Sequence, residues 1–300
     1  MSTREATGQG PAVSPTATLG VAIAAVSTSA ILVRWSAAPS LVAAFYRVLF
    51  TLALLAPLAV RRHPGAVRRA RRRDLAGAAL AGVALAAHFA TWFQSIRWTS
   101  VAASTTLVQS QVLFVALAGG LVLDERLGRR AAAGIALAGA GMVTMFGGEL
   151  LAGAAVAGPR PLAGNALALA GAAAAAVYVL AGRSLRQRVA LLPYVTVVYA
   201  VCAGALFLAV LAAGQPLSYP PREWLLFLGM AVGPGVFGHT VLNWALGHLR
   251  SSVVSVSLLG EPVGSTLLAL LLLTEVPGPA TVLGGAAVLV GIAVTAGGDG

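Results

Sequence analysis

The chain has 300 residues, of which 58% are hydrophobic and only 10% charged, and its mean hydropathy is +0.88. A soluble domain carries about 25% charged residues, so a chain this apolar cannot bury itself in one soluble core and needs lipid as part of its solvent. The net charge is +11 and every basic residue is arginine; the arginines lie between apolar runs, which points to membrane topology and away from nucleic-acid binding.

Residues 1–16 are polar and rich in Pro, Gly, Ser and Thr, and are expected to form a disordered tail. The apolar run that follows has a weakly basic flank and is the first of many, so it reads as a span and not as a cleaved signal peptide. About 20 apolar residues cross a bilayer as a helix. By that measure ten spans follow: 17–36, 41–60, 75–96, 101–122, 131–147, 162–182, 192–213, 223–247, 253–273 and 279–297. Residues 149–161 carry two Gly and two Pro and are read as a connecting loop. The spans must be helices, because hydrocarbon offers no partner for free backbone groups. With the N-terminus cytoplasmic, the inside loops hold fourteen arginines, seven of them between Arg61 and Arg73, and the outside loops hold only Arg97, Arg160 and Arg222. Positively charged loops stay on the cytoplasmic side, so both termini are expected there.

Half of the chain repeats the other half. Gly82, His88, Ser100, Ser104 and Leu107 return 151 positions later as Gly233, His239, Ser251, Ser255 and Leu258. Leu123, Glu125, Gly128, Gly134 and Gly141 return after 150 as Leu273, Glu275, Gly278, Gly284 and Gly291. The repeats occupy 17–148 and 162–297. Five spans per repeat is an odd number, so the second repeat lies upside down relative to the first. The fold class is therefore an all-α polytopic membrane protein of ten helices in two inverted five-helix repeats, an architecture of secondary transporters.

Several motifs make the chain recognisable: Tyr46-Arg47, the run Ser104–Glu125 ending Leu-Val-Leu-Asp-Glu, Gly134 to Gly141, Glu261-Pro262, Leu271 to Glu275, and Gly284 to Gly291. In their order and duplication they resemble the EamA family of the drug/metabolite transporter superfamily. The resemblance covers essentially everything after residue 16. It implies a bacterial inner-membrane carrier, typically an exporter of amino acids, related metabolites or toxic compounds, with spans one to four and six to nine around a central cavity. The second Glu motif, Thr-Glu-Val-Pro-Gly, lacks the basic residue that follows Glu125, which weakens an interfacial role for Glu275.

Ionisable groups inside a bilayer are costly and are read first as functional. Glu261 stands near the middle of span nine, in a stripe with Ser257 and Ser265 beside Gly264, whose small side chains would leave room for ligand or water. A carboxyl that exchanges its proton there is a proton-coupling candidate; the alternative is a neutral acid bonded to a neighbouring helix. The duplicated His88 and His239 share faces with Trp92 and Asn243 respectively, and imidazole can hydrogen-bond a ligand or titrate. Each could instead satisfy a backbone carbonyl. Gln111 is expected to line the cavity and Gln109, two residues away and so on another face, to bond a neighbouring helix. Arg47, roughly 9 Å into span two at the helical rise, could hold a substrate carboxylate, whereas Arg34 is expected to snorkel to the interface. The expected substrate-binding set is Arg47, His88, Trp92, Gln111, His239 and Asn243. Tyr178, Tyr199 and Trp244 are further candidates for cavity walls.

No catalytic residue, metal or cofactor is expected. The single cysteine, Cys202, excludes an intramolecular disulfide, and no Cys/His metal spacing exists. Without lysine there is no Gly-rich nucleotide loop of the lysine type, and the acids are not clustered as a membrane enzyme would need. Expected partners are a small-molecule substrate and the bilayer, with no nucleic acid. Proton coupling stays open against uncoupled facilitation or a non-transporting interaction role. The Gly- and Ala-rich spans five and ten either brace the core or form a homodimer face.

Overall fold

The computed structural model describes residues 15–122, 128–152, 158–186, 188–241 and 258–296. The first repeat contains α1 (Pro15–Trp35), α2 (Ser40–Arg62), a single-turn α3 (Ala66–Arg69), α4 (Arg72–Trp98), α5 (Val101–Val108), α6 (Gln111–Val122) and α7 (Arg129–Ala152). The second contains α8 (Pro161–Arg186), α9 (Leu191–Ala212), α10 (Pro221–Met230), a π-helical segment Ala231–Thr240, α11 (Gly260–Leu273) and α12 (Pro279–Ala296). There is no strand among the described residues. With α5–α6 counted as one span and α10 with the π segment as another, these are the ten spans. Large apolar side chains such as Val143, Leu151, Leu225 and Leu271 are more than two-thirds exposed. An apolar surface of this kind marks a lipid-facing protein.

The helix ends follow local chemistry. Ser100 caps α5, its hydroxyl accepting the Ala103 N–H at 3.0 Å, which satisfies one orphan donor of the first turn. Pro221 opens α10, where its missing N–H is not needed. Helix α7 runs to Ala152, a few residues into the segment expected as a connecting loop, because its apolar sequence continues past Gly148. The tail before residue 15 lies outside the described residues.

Helix pairing shows the inversion. Helix α1 packs on α11 and on the π segment, and its counterpart α8 packs on α5–α6 and on α4. Helix α2 packs on its own counterpart α9, and α7 on its counterpart α12. Each of these contacts thus has a partner with the two halves exchanged, as a two-fold relation requires. The glycines give the same result atom by atom. A Cβ built on Gly134 would lie 2.6 Å from the Gly291 carbonyl oxygen, and one on Gly291 would lie 2.5 Å from that of Gly134. Gly141 and Gly284 meet in the same reciprocal way, at 2.5 and 2.6 Å. Gly134 is the sequence counterpart of Gly284, and Gly141 of Gly291, so α7 and α12 cross antiparallel about the axis. Backbones approach this closely only without side chains, and the glycine faces of spans five and ten are therefore used against each other within the chain.

Candidate functional site

Helix α2 carries Arg47 into the middle of the bundle, where it is among the largest fully buried side chains. Its guanidinium lies 4.4 Å from the ring centre of Phe89 and 5.5 Å from that of Phe93, both on α4. Its Nη1 donates to the Ser29 hydroxyl of α1 at 3.2 Å. Aromatic faces attract a cation, but they supply no acceptor for the remaining N–H donors. Glu261 of α11 is the carboxylate in electrostatic range of Arg47. Thr51, Tyr199 and Gly235 complete the surroundings and leave a cavity of about 10 Å³ beside Arg47, room for roughly one water.

Glu261 is buried, and its Oε2 accepts from Gln109 Nε2 at 2.9 Å. Gln111 Nε2 in turn points to Gln109 Oε1 at 3.5 Å. Gln109 and Gln111 do reach each other, against the expectation from helical spacing. That expectation assumes an unbroken helix, and span four is interrupted: α5 ends at Val108 and α6 begins at Gln111. The turn is held by tight bonds from Gln109 N–H to Thr106 O and from Val112 N–H to Gln109 O. Span nine is interrupted at Leu259, just before α11 begins. With the repeat offset of 151, Leu259 corresponds to Val108. The two interruptions thus fall at nearly the same place in the two repeats, and Gln109 at the first bonds Glu261 in the helical turn after the second.

The small residues around Glu261 do not open a ligand space. Ser265 is fully buried and donates to Ser27 O of α1 at 3.1 Å, while Ser27 donates to Glu261 O at 3.4 Å. A Cβ on Gly264 would lie 2.9 Å from Ser27 Cβ. Ser265 and Gly264 thus seat α11 on α1. Ser257 lies outside the described residues.

His88 is buried on α4, with Nδ1 3.0 Å from Gly171 O of α8. A neutral ring bonded in this way keeps Nε2 as an acceptor. Its ring stacks on Trp92 at 5.6 Å between centres. Trp92 Nε1 is buried without a partner among the described residues, a donor on the same helix face as His88. Arg47, His88, Trp92, Gln111 and Glu261 are thus brought into one connected region through Phe89, Phe93 and Gln109. His239 falls in the π segment, where Pro234 removes a backbone donor; the matching stretch of α4 stays regular. Asn243 and Trp244 lie outside the described residues. Sequence reasoning passed over Ser29. The expectation that Gln109 bonds a neighbouring helix agrees with its bond to Glu261 of α11.

One end of the bundle is tied shut by polar contacts. Arg34 does not snorkel: its Nη2 donates to Glu275 Oε2 at 2.7 Å and to Thr99 O at 3.0 Å. Glu275 Oε1 also accepts the Val101 N–H at 2.5 Å. A left-handed Thr274 (φ 55°) turns the chain after α11; few non-glycine residues adopt this conformation. Arg97 donates to Val33 O, Ser36 O and Ala38 O, and Glu223 accepts from the Ser36 hydroxyl and the Ala37 N–H. These side chains satisfy the orphan backbone groups at the end of α1. Glu275 therefore joins three spans although its motif lacks the basic follower. No group of three His, Cys, Asp or Glu suited to a metal occurs among the described residues.

Comparison with known proteins agrees with this architecture. The chain matches the EamA-like transporter family twice, over residues 15–147 and 162–297. It is 27% identical over 224 residues to an uncharacterized transporter of Archaeoglobus fulgidus, covering 72% of this chain and 73% of the relative. A solved crystal structure superposes with a TM-score of 0.64 at 22% identity, covering 94% of this chain and 96% of the other, a likeness of fold.

Proposed function

Because the chain belongs to the EamA-like transporter family, and is thus a multi-pass membrane transporter, we propose that it exports a small amino-acid-like or amphipathic metabolite across a bacterial inner membrane by alternating access. The observation that carries the reading is that Arg47 and Glu261 are both buried and within electrostatic range of each other, Arg47 against Phe89 of α4 and Glu261 bonded to Gln109 at the interruption of span four. A zwitterion presents one carboxylate and one ammonium. Arg47 offers a planar fork for the carboxylate. The ionised Glu261 receives the ammonium, and a proton competes for the same oxygens. Proton and substrate thus exclude each other at Glu261, which is the condition for exchanging an outgoing substrate against incoming protons. His88 Nε2 and Trp92 Nε1 orient the remaining polar groups. The polar ties at Arg34, Glu275, Arg97 and Glu223 hold one side closed in this conformation, and the two-fold relation supplies the opposite one by exchange of the halves.

A counterflow screen in proteoliposomes identifies the substrate. With it, Glu261→Gln is expected to abolish flux driven by a pH gradient, while assembly and a weakened substrate–substrate exchange persist. Undiminished pH-driven flux in that variant would remove the coupling and leave an uncoupled facilitator.

A further inference from the structure

We propose that the cavity at the arginine-rich end of the bundle binds the phosphodiester headgroup of an anionic phospholipid. This inference needs only that the chain spans a membrane and is independent of the transport reading. The cavity has a volume of about 280 Å³ and lies between α3, the start of α4 and the junction of α8 with α9. Its lining combines the guanidinium-bearing Arg69, Arg71 and Arg188 with the apolar Leu75, Leu185 and Val197.

The carboxylate of the lining is already engaged. Arg188 Nε donates to Asp74 Oδ1 at 2.7 Å, so these two charges offset each other. Arg69 and Arg71 are then two cations with no carboxylate of the cavity left to meet them. Arg69 is held in place: it folds back to donate to the carbonyls of Pro64 and Gly65. Gly65 is left-handed (φ +71°), and a Cβ there would lie 3.2 Å from Arg69 Nη2, so glycine both permits the turn and leaves room for the guanidinium. The α3 turn rests on α9, which fixes the roof of the cavity relative to its floor. Carbonyl contacts occupy donors without cancelling charge, so the positive field remains.

The location selects the ligand. Helix α4 begins at Arg72, α8 ends at Arg186 and α9 begins at Leu191, so the cavity stands at the level where spans leave the hydrocarbon. Basic pockets between helices at this depth attract anionic headgroups. A phospholipid joins a phosphate to an apolar chain, which matches a lining that holds guanidinium groups together with Leu75, Leu185 and Val197. Free phosphate would leave the apolar side chains unused. The volume admits a headgroup and the first methylenes, not a whole lipid.

The test uses the full chain in neutral detergent, titrated with short-chain phosphatidylglycerol, short-chain phosphatidylcholine or inorganic phosphate, and reads the unfolding temperature. Phosphatidylglycerol should raise it and phosphatidylcholine should not. At about 1 kcal/mol per arginine near a membrane surface, Arg69→Gln/Arg71→Gln should weaken the apparent affinity about 30-fold. Arg61→Gln/Arg62→Gln removes the same charge at the nearby end of α2, outside the cavity, and should leave the affinity unchanged. If the double variant fails to fold, Arg71→Gln alone, at an exposed side chain, should weaken it about fivefold. Equal loss in the two double variants would mean a diffuse charge effect and overturn the site. So would equal stabilisation by phosphatidylcholine, or a full reproduction of the shift by inorganic phosphate, which would identify a free anion as the ligand.

Discussion

Arg47 sits between two phenyl rings and one serine hydroxyl, with Glu261 in electrostatic range and a cavity the size of one water beside it. A buried guanidinium with donors to spare gains most from a planar carboxylate. Replacing Arg47 by Ala is therefore expected to weaken carboxylate-bearing substrates about tenfold to a hundredfold, the range of a hydrogen bond to a charged group, and cationic ones less. Competition against counterflow measures both. Equal loss across all charges would make Arg47 a structural partner of Glu261 and nothing more. Arg47→Lys keeps the charge without the fork, and should recover part of the binding.

At the scale of elements, two devices recur in both repeats. One is the glycine seam of α7 and α12, where Gly141 and Gly284 meet backbone to backbone. A leucine at Gly284 has no space, and overpacking of this kind costs about 1–3 kcal/mol or more. Gly284→Leu is expected to lower the unfolding temperature of the purified protein by several degrees, whereas Gly139→Leu, with no atom within 4 Å of its Cβ position, should leave it unchanged. Matching behaviour of the two variants would argue against the seam as a brace. The other device is the pair of interrupted spans, at Gln109–Ser110 and at Leu259. Periodicity does not reveal these breaks, because residues 104–117 are apolar enough to continue a helix through Gln109. Only the bond from Gln109 to Glu261 shows why the turn is kept there.

For the whole molecule, the decisive relation is the exchange of halves. It places Arg34, Arg97, Glu223 and Glu275 at one end and Asp74 and Arg188 at the other. The arginine asymmetry predicts that the second end is cytoplasmic. Single-cysteine labelling tests this directly, since the native Cys202 is buried. Ser218→Cys is expected to react with an impermeant maleimide in intact cells, and Arg68→Cys only after the membrane is opened. The reverse pattern would invert the orientation.

Ten apolar runs, their loops and the duplication follow from the sequence alone, because lipid leaves backbone groups no choice but helices and an odd number of spans must invert the second copy. The glycine and alanine content of spans five and ten likewise announced close backbone packing, but left open whether they brace the core or form a homodimer face. The partners of the polar residues were decided by tertiary structure. Arg34 was at an interface by position, yet Glu275 lies 241 residues away and meets it only through the packing of α11 on α1. Ser265 and Gly264 looked like the lining of a space and instead join two helices. A polar side chain in a membrane bonds whatever the fold brings to it, and that choice depends on which helices are adjacent, a property no local spacing encodes.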